Sequence, residues 1–220
     1  MNRKIVPRKL NNTIAVIVDG KDEKWYIEVM KEHYPCNSIK SIRIDPALPQ
    51  KKKIQELFDL AESKCNEGFV HVFLMVDMDV PNCDSGEFQK FKNIYEKYVG
   101  VKSNELQGRQ LSKYKWMHNL TIIINNPCLE YWHLIHFKTT NKYYRSYNEM
   151  KNDLLKYLPG YEKSERYYKE SPDIFMRLGE LQGLSVARGN AQKICPFDIR
   201  LCKEAGSSEM DKLFDFFDTL

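Results

Sequence analysis

The chain alternates between short, continuous apolar runs and longer stretches whose apolar residues recur every three or four positions. Ile14-Ala15-Val16-Ile17-Val18 is a run of strand length ending at Asp19-Gly20, and the next segment carries Trp25, Val29 and Met30 at helical spacing. Ile39 to Ile44 alternates apolar and polar residues as a half-buried strand does, and Ile54, Leu57, Phe58 and Ala61 then mark one face of a helix. Val70 to Val76 (VHVFLMV) is too continuously apolar for an exposed edge and suits a strand covered on both faces; it ends at Asp77-Met78-Asp79. Residues 80 to 98 resume helical spacing through Phe88, Phe91, Ile94, Tyr95 and Tyr98, and Leu120 to Ile124 is a further apolar strand ending at Asn125-Asn126-Pro127.

Such alternation predicts an α/β core with a mainly parallel sheet flanked by helices. Beyond Glu130 the helical pattern dominates, at Trp132–Phe137, Met150–Leu158, Ser164–Leu181 and Asp211–Leu220, with a break at Pro159-Gly160. The expected organisation is a basic arm over residues 1–12, an α/β core over 13–137, and a helical extension over 138–220 packed on that core. A chain of 220 residues suffices for one sizeable core.

Composition narrows the class. With 42% hydrophobic and 12% aromatic residues, the chain can bury enough surface to fold. The net charge of +4 suits a nucleic-acid partner without requiring one. Six cysteines lie apart with no C-x-x-C pair and no signal-peptide pattern opens the chain, which predicts a cytoplasmic protein with reduced thiols. No apolar run approaches the roughly 20 residues that a membrane helix needs.

The chemistry gathers at strand ends. In an α/β sheet ligands bind beyond the carboxyl ends of the strands, and here those ends carry Asp19, Asp77 with Asp79, and Asn125-Asn126. Continued strand conformation would turn Asp77 and Asp79 to one side and Met78 to the core. A helix beginning after Gly20 places Glu23 in its first turn with Asp19 near its cap, so that all four carboxylates converge. Like charges so close repel unless a cation separates them, and hard oxygen donors suit Mg²⁺ or Mn²⁺. Two such ions support phosphodiester hydrolysis without a protein nucleophile. Taken singly, each acid also has a plain structural reading: Asp19 as a helix cap, Glu23 as a first-turn acid, and Asp77-Met78-Asp79 as a polar turn.

Several segments resemble a known family in order along the chain. Ile17-Val18-Asp19-Gly20-Lys21-Asp22-Glu23 with Tyr26 resembles the strand-EGxxE-helix opening of the RloB (AbiLii-like) family, and Asp77-Met78-Asp79 is similar to its D-x-D strand end. Asn126 to Phe137 (NPCLEYWHLIHF) closely resembles the family's NPCFELWLLLHF segment, and Leu158 to Lys163 its Y-x-K element. The resemblance implies a TOPRIM-like fold and a metal-dependent nuclease of a bacterial anti-phage defence or restriction-linked system, working with an ABC-type ATPase. It assigns metal binding to Asp19, Glu23, Asp77 and Asp79, a second ion site to Glu130, and stabilisation of phosphate charge to Lys163. The family places Glu where this chain has Asp19, one methylene shorter. That departure motivates a second reading, a non-catalytic nucleic-acid-binding or regulatory subunit. An aspartyl phosphotransferase is a third, disfavoured because the D-x-D ends the third strand rather than the first.

Other candidates have plainer readings. His133 and His136 lie three apart in an apolar helix, where core or hydrogen-bonding roles outweigh metal binding. Lys51-Lys52-Lys53 opens a helix and reads as a solvated face. The interleaved tyrosines and bases at Tyr143-Tyr144-Arg145 and Arg166-Tyr167-Tyr168-Lys169 suit nucleic-acid stacking or self-association equally.

Overall fold

The computed structural model describes residues 13–47 and 52–220; the basic arm and Lys51 lie outside the described residues. From the start of the described chain, strand β1 (Ile14–Ile17) leads into helix α1 (Lys21–His33), and β2 (Arg43–Asp45) into α2 (Ile54–Asn66). Strand β3 (His71–Asp77) is followed by α3 (Asp79–Cys83), α4 (Ser85–Lys102) and α5 (Gly108–Tyr114). Strand β4 (Leu120–Asn126) precedes α6 (Leu129–Ile135), α7 (Tyr147–Leu154), α8 (Glu165–Lys169), α9 (Ile174–Arg177) and α10 (Glu180–Lys193). The chain closes with β5 (Ser207–Ser208) and α11 (Asp211–Asp218).

The sheet runs β2-β1-β3-β4-β5, parallel throughout except for β5, which pairs antiparallel to β4 through Asn125↔Ser208 and Asn126↔Ser207. An α/β architecture with a mostly parallel sheet is therefore present. Each strand of the centre is apolar on both sides because each face is covered. Val16, Phe73, Met75 and Ile123 face one layer, built from α1, α6 and the helices of the C-terminal half. Ala15, Ile17, Leu74 and Ile122 face the other, built from α2 and α4.

Connectivity creates the crevice that matters. From β1 the chain passes to β2 on one side and then returns to lay β3 on the other side of β1, with α1 and α2 on opposite faces. The carboxyl ends of β1 and β3 therefore flank a topological switch point, where open α/β sheets hold ligands.

Several expected elements differ. The half-buried strand expected at Ile39–Ile44 is a 3₁₀ turn over Asn37–Ser41 followed by the shorter β2. Ser41 Oγ donates to the Ser38 carbonyl at 2.7 Å, a local bond that competes with ladder formation. The helix expected over 80–98 is two, since Asp84 caps α4 by accepting from the Gly86 and Glu87 amides at 2.8 and 3.0 Å. The segment 164–181 is likewise divided. Asp173 caps α9, and Gly179, at φ 89°, supplies the left-handed residue between α9 and α10. Among the described residues no helix is long and apolar enough to cross a membrane.

Candidate functional site

Glu23 sits in the first turn of α1, only 4% exposed, because β1 delivers the chain directly beneath it and Gly20 makes the turn. A Cβ on Gly20 would run into Glu23 Oε2 and come within 2.7 Å of Asp22 Oδ1, so both carboxylates fold back over the turn and would have to shift for any larger residue there. Asp77 ends β3, directly across the switch point. Its Oδ2 accepts from the Leu129 amide at the start of α6 at 3.4 Å, while Oδ1 is buried and, with the acids ionised, meets no donor among the described residues. Glu23 Oε2 is buried in the same state.

The electrostatics follow from that geometry. Burial, and then the charges of Asp77 and Asp22, push the Glu23 carboxyl well above the ordinary carboxylate range. Burial, and then Asp79, Glu130 and Asp22, do the same to Asp77. After burial, the charges acting on Glu23 and Asp77 are those of neighbouring acids, and the two carboxyls are hydrogen-bonded to each other, so that Asp22, Asp79 and Glu130 lie around one acidic pair.

Asp79 is placed differently from the expectation. The strand conformation does not continue past Asp77: Met78 has φ −90° and ψ 0° and packs into the core, and Asp79 opens α3, its Oδ1 accepting from the Val80 amide at 2.7 Å. Asp79 is half-buried and still close enough for its charge to act on Asp77. Asp19 follows β1 and accepts from the Lys52 amide through Oδ1 at 2.8 Å, which ties the end of β1 to the segment entering α2.

Glu130 and Lys163 meet. Glu130, in the first turn of α6, is fully buried, and its Oε1 accepts from Tyr161 Oη at 2.6 Å and pairs with Lys163 Nζ at 2.8 Å; Oε2 meets no nitrogen or hydroxyl donor among the described residues. Lys163 also pairs with Asp22 Oδ2 at 2.9 Å and lies over the Tyr147 ring. Burial works against the lysine's charge, but Glu130 and Asp22 outweigh it and raise its pKa. Burial likewise works against the Asp22 carboxylate, and Lys163 reverses the outcome, holding its pKa below the usual value. Lys163 is thus a counter-charge of the acidic cluster, with a side chain 38% exposed at its rim.

Three contributors carried little weight in the sequence. Asp22 entered only as part of the opening motif, yet it bridges the cluster to Lys163. Tyr168 read as one of the interleaved aromatics of the helical half and Tyr161 only as part of the Y-x-K element, but both are buried, their hydroxyls 2.7 Å apart. The available signal was the tyrosine two residues before Lys163. Asn126 serves structure: it accepts from Asn82 Nδ2 and donates to the Cys202 and Ala205 carbonyls. His133 and His136 are buried and their pKa values depressed by burial, His136 to about 4. Core hydrogen bonding is what the structure gives both.

The donors at the switch point are carboxylate oxygens, three of them buried without a nitrogen or hydroxyl donor among the described residues, and this set fits a hard divalent cation. Among the described residues no three His, Cys, Asp or Glu side chains are gathered into a preformed cage, so water would have to fill much of any coordination shell. No curated protein and no solved structure matches the chain. The family model described as "RloB-like protein" matches residues 14–216, from the start of β1 into α11, and the chain belongs to that family.

Proposed function

We propose that the chain is a TOPRIM-like, Mg²⁺- or Mn²⁺-dependent nuclease of a bacterial defence system, acting on DNA or RNA together with an ABC-type ATPase partner. One observation carries this reading: Glu23 and Asp77 face each other across the switch point with buried carboxylate oxygens that meet no donor among the described residues except each other's proton, and whose charged forms burial disfavours. Proteins keep such a cost where a ligand relieves it. A divalent cation, when bound, supplies charge neutralisation for a phosphodiester and lowers the pKa of a water.

The remaining work falls to the chain's own groups. Glu23, Asp77, Asp79 and Glu130 would hold the cation, with Asp19 at the margin of the site through its bond to Lys52. Lys163, at the exposed rim, would meet phosphate charge by exchanging one carboxylate partner for it. The AbiLii-like character of the family opening, with Asp19 where glutamate is usual, belongs to the same reading.

The test is cleavage by the purified protein of DNA and RNA with Mn²⁺, beside Asp77→Ala. The expected loss is at least about 100-fold, as for removal of one electrostatic contact in a dry site. Equal residual cleavage by the variant sinks the assignment. Calorimetry detecting no Mn²⁺ binding, with or without nucleic acid, transfers support to a non-catalytic nucleic-acid-binding subunit.

A further inference from the structure

The two residues at opposite ends of one turn of α6, Glu130 and His133, are joined by a buried chain of hydrogen bonds that runs outside the helix. His133 Nε2 lies 3.1 Å from Tyr168 Oη, Tyr168 Oη 2.7 Å from Tyr161 Oη, and Tyr161 Oη 2.6 Å from Glu130 Oε1. Spacing of i and i+3 puts both ends on the same helix face. The ring is closed by segment 161–168, which also carries Lys163 to Glu130.

The chain has a direction. Each hydroxyl has one proton. Tyr161 gives its proton to the carboxylate, so it must accept from Tyr168, and Tyr168 must then accept from His133. His133 is therefore the Nε2–H tautomer, and its bare Nδ1, buried without a partner, agrees with that. Donors in series polarise one another, so the last bond, to Glu130, is the strongest. Oε1 of Glu130 is thus saturated by Tyr161 and Lys163, and the carboxylate cannot rotate without giving up both. Oε2 is left outside the relay, buried and meeting no nitrogen or hydroxyl donor among the described residues, with the Cys128 thiol within hydrogen-bonding reach of the carboxylate.

We propose that His133, Tyr168 and Tyr161 form a polarised relay that positions Glu130, fixing one carboxylate oxygen so that the other is presented to a divalent cation. His133 and Tyr168 are positioning residues that act through Tyr161, and the relay rests on the metal-site reading above for its purpose but not for its existence.

Two measurements separate the relay from that reading. In metal-free protein, long-range ¹H–¹⁵N correlation spectra report the His133 tautomer; Nε2–H is expected, and Nδ1–H overturns the relay. Calorimetry with Mn²⁺ alone then compares folded variants of matched melting behaviour. Tyr168→Phe and His133→Leu are each expected to weaken Mn²⁺ binding by about 10-fold or more, the usual effect of losing a group that orients a metal ligand. His133→Gln, which returns a donor near the Nε2 position, is expected to recover most of that loss, which a merely structural role would not produce. Wild-type affinity in both Tyr168→Phe and His133→Leu overturns the positioning role. Wild-type protein that binds no Mn²⁺ defeats the metal site and with it the role in presenting Oε2, while the tautomer still decides the relay itself.

Discussion

At Asp77 two unfavourable effects coincide: one carboxylate oxygen is buried, and the charges that act on it are those of other acids. Neutralising it should therefore stabilise the metal-free protein even as it destroys the site. Asp77→Asn keeps an oxygen for the Leu129 amide and removes the repulsion. In EDTA its melting temperature is expected to rise by about 3 °C or more, since roughly 1 kcal/mol moves a chain of this size by 2–4 °C. Added Mn²⁺ should raise the wild type and leave the variant unmoved. A variant that melts below the wild type in EDTA contradicts the account.

His136 shows the opposite linkage. It is buried and neutral, with Nδ1–H donating to the Trp132 carbonyl, and burial lowers its pKa from 6.5 to about 4. Between those values the unfolded chain binds the proton and the folded chain does not, so stability falls as pH drops from about 6.5 to 4. The full contribution is about 3 kcal/mol, from roughly 1.4 kcal/mol per pKa unit. Urea midpoints at pH 7 and pH 5 should fall more for the wild type than for His136→Gln. Equal losses would remove His136 as a source of acid lability.

At the scale of elements, the end of β4 is held by side-chain amides. Asn126 is fully buried and makes three hydrogen bonds, with α3 through Asn82 and with the chain just before β5 through the Cys202 and Ala205 carbonyls. Beside it, Asn125 Oδ1 accepts from Ser208 Oγ at 2.7 Å, which fixes the two-residue strand β5. Gly206, just before that strand, packs so closely on the Tyr131 ring and the Lys142 carbonyl that no side chain fits. Asn126→Ala removes all three bonds and leaves buried partners unpaired, an expected loss of about 2–3 kcal/mol. Urea unfolding followed by far-UV circular dichroism measures it; a loss below 1 kcal/mol would mean that β5 docks without this anchor.

At the scale of the molecule, the C-terminal half completes the sheet and its main core. Met150, Leu154, Tyr168, Leu184, Phe214 and Phe217 are buried in the same layer as Val16, Phe73 and Met75 from β1 and β3. Lys163 reaches the acidic cluster from that half as well. A chain ending at Phe137 should therefore lack cooperative unfolding and near-UV ellipticity, because one face of β1 and β3 would be stripped of its cover. A cooperative transition for that fragment would show that the extension is dispensable for folding.

Local pattern carried a large part of this protein. The apolar runs at Ile14–Val18, Val70–Val76 and Leu120–Ile124 specify covered strands whatever their partners, and the acids that follow them lie at strand ends by simple continuity of the chain. Periodicity could not reveal β5, since Ser207 and Ser208 have no strand pattern and pair only because the Asn125 and Asn126 amides are already in place. Nor could it find the 3₁₀ turn at Asn37–Ser41, where a serine side chain captures a backbone carbonyl. The strand order decided more, because the reversal between β1 and β3 is what sets Glu23 against Asp77. Charge pairing across 141 residues, from Asp22 to Lys163, and the ring from His133 through two tyrosines to Glu130, exist only in three dimensions. Sequence alone determined which carboxylates stand at strand ends; tertiary structure decided which are buried, which are paired and which oxygens stay unpaired, because burial and charge neighbours depend on packing between distant segments.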